Sequence, residues 1–425
     1  MTNYFDDIVK NLAQAVTYDS SQAEAKEGMP FGEGVAKCLD FYLSLADFMG
    51  FKTKNYDNYV GEVVWGEGKD FAVLAHIDVV PAGSGWTHDP FGGEIDEENG
   101  KIWGRGTMDD KGPAMIALYA MHALKEEGFR PRRTIKLILG CNEETGWACI
   151  DHYNKVAKMP EEGISPDADF PVIYAEKGII HARFAFDAQG ATFTGLKGGN
   201  RPNMVCDYCQ AESALNEDKL AKLNLEYCDG KVISRGKSAH GSTPDKGINA
   251  IPAMLRYLGL NHIEDALFGQ YMGLNGLRDE TGPLTFSPNL IEQADGKIYV
   301  TCDIRYPATF ERAQIISILD RQGVPYEIVH DQAPLYNDKN SPLIQTLLGV
   351  YNEVTGAQAQ PIAIGGGTYA RALKCGAAFG PEEAGEESTI HQANEYITFD
   401  KIKKCFEIYK PVSYTHLTLP TNSRV

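Results

Sequence analysis

The residues best equipped for chemistry are two histidines and several carboxylates: His76-Ile-Asp78, Asp109-Asp110, Glu143-Glu144, Asp167 and His391. Imidazole nitrogens and carboxylate oxygens together form a borderline-to-hard donor set, suited to Zn²⁺, Mn²⁺ or Co²⁺. Singly, each has an ordinary reading. A lone histidine after a strand is usually a satisfied polar group, Asp109-Asp110 could cap the helix that follows, and paired glutamates usually face solvent. Those readings leave the positions unexplained. Most of these residues fall where a strand-like run gives way to a loop, beside Gly-rich turns such as Gly104-Arg-Gly-Thr-Met108 that let backbone approach closely.

The elements that must position them follow from periodicity. Phe5, Ile8, Val9, Leu12 and Val16 recur at helical spacing, and a second helix runs from about Gly34 to Gly50. Phe71-Ala-Val-Leu-Ala75 is a short apolar run of the kind a doubly covered parallel strand shows, and it ends at His76. Pro113–Glu127 reads as a largely buried helix, with Pro in its first turn and Gly128 past its end. Thr134–Leu139 and Phe170–Tyr174 are further strands. In an open α/β sheet, side chains at the carboxyl ends of neighbouring strands converge on one crevice.

The texture changes near Gly178. Ile179–Phe186 alternates, and so does Lys297–Arg305, with Ile298, Val300, Cys302 and Ile304 on one face. Such period-two strands predict an antiparallel sheet with one solvated side, which leaves Arg305 exposed opposite the apolar face. Helical patterns cover Ala211–Leu223, Ile248–Leu258 and Phe310–Leu319, and helical spacing resumes at Leu343, Leu347, Tyr351 and Val354. The predicted fold is α/β: a mostly parallel sheet flanked by helices (1–177 and 336–412), interrupted by a smaller α+β domain on an antiparallel sheet (178–335). Ser413–Val425 lacks helical periodicity and holds Pro420. It reads as a disordered tail, or as foreign sequence standing where the last helix should end.

Composition narrows the function classes. The chain has 425 residues, 43% hydrophobic and 23% charged, with a formal net charge of -18. That acidic excess argues against nucleic acid or an anionic membrane as partner. Residues 1–10 are polar and amphipathic rather than a signal peptide, and no apolar run is long enough to span a bilayer. Nine scattered cysteines suit a reducing compartment, the cytoplasm, and Cys206-x-x-Cys209 reads as incidental spacing rather than half a zinc site. Gly365-Gly-Gly-Thr-Tyr-Ala-Arg371 lacks the Lys-Ser/Thr ending of a phosphate loop, and no dinucleotide fingerprint is present.

In order along the chain, the blocks His76-Ile-Asp78-Val-Val-Pro, Gly104-Arg-Gly-Thr-Met-Asp-Asp-Lys-Gly-Pro113, Cys141-Asn-Glu-Glu-Thr-Gly146 and Ser165-Pro-Asp-Ala-Asp-Phe-Pro171 resemble the metal-binding blocks of the co-catalytic zinc metallopeptidase family of aminoacylases and dipeptidases. With Gly236-Lys-Ser-Ala-His-Gly-Ser-Thr-Pro244 and His391-Gln-Ala-Asn-Glu-Tyr396 they look most like the dipeptidase V (PepV) and carnosinase (Xaa-His dipeptidase) branch, over nearly all the chain up to about residue 412. The resemblance implies a metallopeptidase sandwich carrying an inserted lid domain. It implies two Zn²⁺ per chain, with Mn²⁺ or Co²⁺ as alternatives: Asp109 bridging, His76 and Asp167 on one ion, Glu144 and His391 on the other. Glu143 would be the general base, and Asp78 would hold the His76 ring N–H. His240 would stabilise the oxyanion, Asn203 and Arg305 would contact substrate, and the backbone around Gly366 would cradle it. The resemblance also implies a cis peptide between Asp109 and Asp110.

The expected reaction is hydrolysis of a dipeptide, by a monomer or a homodimer, with closure of the lid completing the site. An N-acyl-amino-acid amidohydrolase of the same family is the near alternative. A non-catalytic metal-binding protein is the alternative of another class, disfavoured by the presence of Glu143.

Overall fold

The computed structural model describes residues 4–188, 190–383 and 385–418. Two compact units divide the chain. The first holds the residues up to Tyr174, then Asn337–Ile362 and the residues from Thr368 onward; the second holds Ala175–Tyr336 and Ala363–Gly367. That last segment, read from the sequence as part of the first domain, is tied to the second unit: Lys177 N–H donates to the Ile364 carbonyl at 3.0 Å.

In the first unit, strands lie in the order Lys52–Tyr56, Val60–Trp65, Thr134–Gly140, Asp70–His76, Glu162–Ser165 and Cys375–Ala378, and Ile173, near the end of the unit's first segment, pairs with Ala378. The central run from Thr134–Gly140 to Cys375–Ala378 is parallel, and the flanking strands are antiparallel. Phe71, Ala72, Val73, Leu74 and Ala75 are all buried, as a strand covered on both faces requires. Helix Lys111–Glu126 is apolar nearly all round and buries Met115, Ile116, Leu118, Met121 and Leu124. Each such side chain contributes on the order of 1.5–3 kcal/mol through burial. Its first turn is pinned from two sides. Tyr42 Oη donates to the Lys111 carbonyl at 2.6 Å, and Lys111 Nζ donates to the Ala15 and Tyr18 carbonyls at 3.1 and 2.7 Å. Those carbonyls lie at the negative end of helix Phe5–Val16, where a cation is favoured.

The second unit is built on an antiparallel sheet in the order Glu226–Cys228, Lys231–Arg235, Tyr208–Glu212, Thr194–Gly198, Thr285–Ala294, Lys297–Tyr306, Gly178–Asp187 and Tyr326–Gln332. Ile298, Val300, Cys302 and Ile304 face one core together with Ile180, Ala182 and Phe184, and Ile251, Met254 and Leu255 of helix Ile251–Leu258 pack there. Cys206 and Cys209 are free thiols in this unit, both buried in that core.

Three readings of the sequence change. The helical pattern over Ala211–Leu223 resolves into strand Tyr208–Glu212 and a short helix, Glu217–Leu223, capped by the Asn216 side chain. Alternation in a strand and spacing in a helix overlap over so short a span. The opposite face of the antiparallel sheet is not solvated around Asp303 and Arg305, as described below. The last helix, Phe399–Thr418, carries Pro411 inside it and continues beyond residue 412. The expectation of an irregular tail therefore fails for the backbone of 413–418, while 419–425 lie outside the described residues.

Candidate metal centre

Three adjacent parallel strands deliver the first group of side chains. His76 ends strand Asp70–His76, in register with Gly140 of the neighbouring strand, after which Glu143 and Glu144 follow. On the other side, strand Glu162–Ser165 is followed by Asp167. Asp109 closes the loop before helix Lys111–Glu126, and the Asp109–Asp110 peptide is cis. His391 enters from a late loop with φ of 62°, a left-handed conformation uncommon outside glycine.

These side chains meet. His76 Nε2 lies 2.9 Å from Asp109 Oδ1 and 3.7 Å from Asp167 Oδ2. His391 Nε2 lies 3.0 Å from Asp109 Oδ2 and 3.0 Å from Glu144 Oε1. Asp109 thus touches one histidine with each oxygen. Ligand atoms of His76, Asp109 and Glu144 all fall within 4.8 Å of one another.

Electrostatics tell the same story. Burial, and then the charge of Asp109, push the Asp167 carboxyl up to about 7. Burial also raises Glu143 well above the carboxylate range and Glu144 above its ordinary value. Burial opposes ionisation of Asp109 too, yet its contacts with His391 and His76 hold it well below that range. Against the cost of burial, Asp109 and Glu144 raise His391 to about 10, and Asp109 and Asp78 raise His76.

A divalent cation fits this arrangement. His76 Nε2, though 2.9 Å from Asp109 Oδ1, makes no hydrogen bond of acceptable geometry. The two atoms face shared space rather than each other. His76 Nδ1 contacts the Asp78 carbonyl at 2.9 Å, which leaves the Nε2 lone pair of the neutral ring for a ligand. With oxygen donors on Asp109, Asp167 and Glu144, and nitrogen on His76 and His391, the set suits zinc or a similar ion.

Asp78 does something other than expected. Its carboxylate Oδ1 is 3.6 Å from His76 Nδ1, too far for a hydrogen bond, because the imidazole is taken by the Asp78 backbone carbonyl. The carboxylate instead accepts the backbone N–H groups of Glu143 and Glu144 at 3.0 and 3.1 Å. Glu143 Oε1 accepts from Trp147 Nε1 at 3.0 Å.

Sequence reasoning foresaw none of the contacts that several neighbours make. Asp110 Oδ2 accepts the His76 N–H at 3.1 Å. Tyr369, in the glycine-rich block, sets its ring edge-on to His76 at 6.1 Å, and a Cβ at Gly140 would fall 2.0 Å from its hydroxyl. Asn394 Oδ1 accepts the Thr87 N–H at 2.8 Å. Glu395 is fully buried against the Gly104–Asp109 loop. Glu395 and Asn394 stood in the block that begins at His391, but nothing in the sequence distinguished them from surface residues.

The remaining expected residues belong to the second unit, which brings them to one polar patch. The Gly241 N–H donates to the Asn203 carbonyl at 2.8 Å. His240 Nδ1 contacts Ser242 Oγ at 2.7 Å and accepts the Ser242 N–H at 3.3 Å, so the proton of the neutral ring resides on Nε2. Burial, then Arg305, lower the His240 pKa, which keeps the ring neutral. A Cβ on Gly365 would lie 2.8 Å from Ser242 Cβ, whereas one on Gly366 would meet only Ile364 at 3.7 Å. The close approach that demands glycine is therefore at Gly365.

Arg305 is not exposed. Only 4% of it is accessible, and Asp303 takes its fork, Nε to Oδ1 at 2.6 Å and Nη2 to Oδ2 at 2.8 Å. Nη1 donates to the Gly365 carbonyl at 3.2 Å. Alternation placed Asp303 and Arg305 on the polar face correctly, but loops at 241 and 365 cover that face. A Cβ on Gly241 would sit 2.2 Å from Asp303 Oδ2.

A model of peptidase family M20/M25/M40 matches residues 72–413. The chain is 34% identical to a Beta-Ala-Xaa dipeptidase of Lactobacillus delbrueckii subsp. lactis, covering 96% of each protein. It is 35% identical to a putative dipeptidase, YtjP, of Bacillus subtilis (strain 168), covering 96% of this chain and 97% of that one. Among solved structures, human carnosine dipeptidase 1 has a similar fold, with a TM-score of 0.61, 12% identity, and coverage of 98% and 97%. No helix among the described residues is long and apolar enough to cross a membrane.

Proposed function

The chain belongs to peptidase family M20/M25/M40, and from that premise we propose that it is a dipeptidase working at a centre for two divalent ions, zinc foremost. One observation carries this reading: both oxygens of Asp109 are engaged, one by His76 and the other by His391, with Glu144 and Asp167 beside them. A carboxylate presented in that way suits a shared ligand, with His76 and Asp167 on one side and Glu144 and His391 on the other. Two ions held there would supply Lewis acidity and a water acidic enough to react near neutral pH.

Glu143 is the proposed general base. It lies next to a ligand in sequence, its backbone is fixed by Asp78, and one carboxylate oxygen is anchored by Trp147. Burial raises its pKa, which favours a group that accepts a proton from water and returns it to the departing amine. His240 is the proposed oxyanion donor, since Ser242 leaves the proton on Nε2. Asn203 and the Gly365–Gly366 backbone are proposed substrate contacts. For Arg305, the N–H groups that Asp303 and Gly365 leave free would meet the substrate carboxylate. Nine free thiols fit a reducing, cytoplasmic setting.

The relatives named as dipeptidases support a dipeptide over an N-acyl amino acid. Zinc-loaded protein should hydrolyse Ala-His or β-Ala-His much faster than an N-acetyl amino acid. The reverse preference would assign the chain to deacylation.

A further inference from the structure

We propose that Glu395 is a positioning residue for Asp109, acting through the backbone of the Gly104–Asp109 loop. The proposal rests on the metal-centre reading above and concerns what holds that centre in shape. Glu395 has no solvent exposure. Its Oε1 accepts three backbone N–H groups: Gly106 at 3.0 Å, Met108 at 2.9 Å and Asp109 at 3.3 Å. Its Oε2 accepts from Arg105 Nη1 at 2.7 Å, and its carbonyl accepts the Gly104 N–H at 2.9 Å.

One side chain therefore gathers the amide hydrogens of the loop that ends in Asp109. Gly106, at φ of 90°, turns that loop so that its amides converge on the carboxylate, and a Cβ there would fall 2.8 Å from Val79 Cγ1. The same short segment carries His391, whose Nε2 lies 3.0 Å from Asp109 Oδ2. His391 thus touches the Asp109 carboxylate from outside, while Glu395 fixes its backbone from within. A staple between buried charges would need Arg105 alone. The three bonds to Oε1 are directed at the residues leading into Asp109, and a centre of this kind tolerates misplacement of only about half an ångström.

The test separates positioning from stapling. Metal-free wild type, Glu395→Gln, Glu395→Asp and Arg105→Lys are each titrated with Co²⁺ and with Zn²⁺, with folding checked by circular dichroism. Glu395→Asp keeps the charge but shortens the reach, so it serves where Glu395→Gln does not fold. Weakening of metal affinity by about 10–100-fold in the Glu395 variants is expected, with Arg105→Lys within about threefold of wild type. Unchanged affinity in folded Glu395 variants overturns the inference, as does an equal loss in Arg105→Lys. Wild type that takes up neither ion overturns the metal-centre reading itself, and this inference with it.

Discussion

The carboxylate of Asp78 accepts the backbone N–H of Glu143 at 3.0 Å, and its second oxygen holds Glu144 at 3.1 Å. One buried acid thereby orients both the proposed base and a proposed ligand. Replacing Asp78 with Asn puts an NH₂ group against one of those N–H groups. A fall in kcat of roughly 10–100-fold is expected, with KM little changed. Steady-state kinetics on a dipeptide check this, and an unaltered kcat would show that the pairing does not serve catalysis.

Glu143 touches Trp147 rather than either histidine, so it is separable from metal retention. Glu143→Gln should keep its metal content, read by elemental analysis, while kcat drops by about 10²–10⁴. Loss of metal alongside activity would instead make Glu143 a ligand.

The titrations set the pH response of the metal-free protein. His391 rises from 6.5 to about 10 on folding. A raised pKa contributes stability that is fully present below 6.5 and disappears as pH climbs through about 10. Asp167, raised by burial and then by Asp109, loses its contribution as pH rises from 3.8 through about 7, in the same direction. Metal binding needs these groups unprotonated and gains where the protons leave. The difference in Tm between zinc-loaded and metal-free protein should therefore widen from about pH 6.5 to about pH 9. A gap that narrows over that range would contradict the assignment of His391.

Asp303 and Arg305 form a buried pair. Asp303→Asn leaves a guanidinium without its counter-charge and should destabilise the protein by about 3–5 kcal/mol. Urea unfolding measures it. A loss below about 1 kcal/mol, the scale of an exposed ion pair, would mean that the pair is effectively solvated.

Most positions of the proposed centre stood out in the sequence because residue type and strand exit coincided. His76, Glu143 and Glu144 each follow an apolar run that the sequence reads as a strand of the parallel sheet, whereas Asp167 follows strand Glu162–Ser165, whose short Glu-Gly-Ile-Ser run carries no apolar pattern to reveal it. His391 and Asp109 needed the motif resemblance, since no local pattern links two loops so far apart. Arg305 shows where pattern reading stops. Alternation gives the face of a strand, but the loops at 241 and 365 that cover that face come from elsewhere in the chain. The contacts of Glu395 and Asp78 were hidden in another way. Their partners are backbone amides, which every residue has, so composition could not reveal them.

Titrating zinc into metal-free protein while following hydrolysis of β-Ala-His tests the central claim most directly. Turnover that climbs with added metal and levels off at two ions per chain is the expected result. Protein that binds zinc at His76 and His391 yet leaves short peptides intact at every stoichiometry would contradict it.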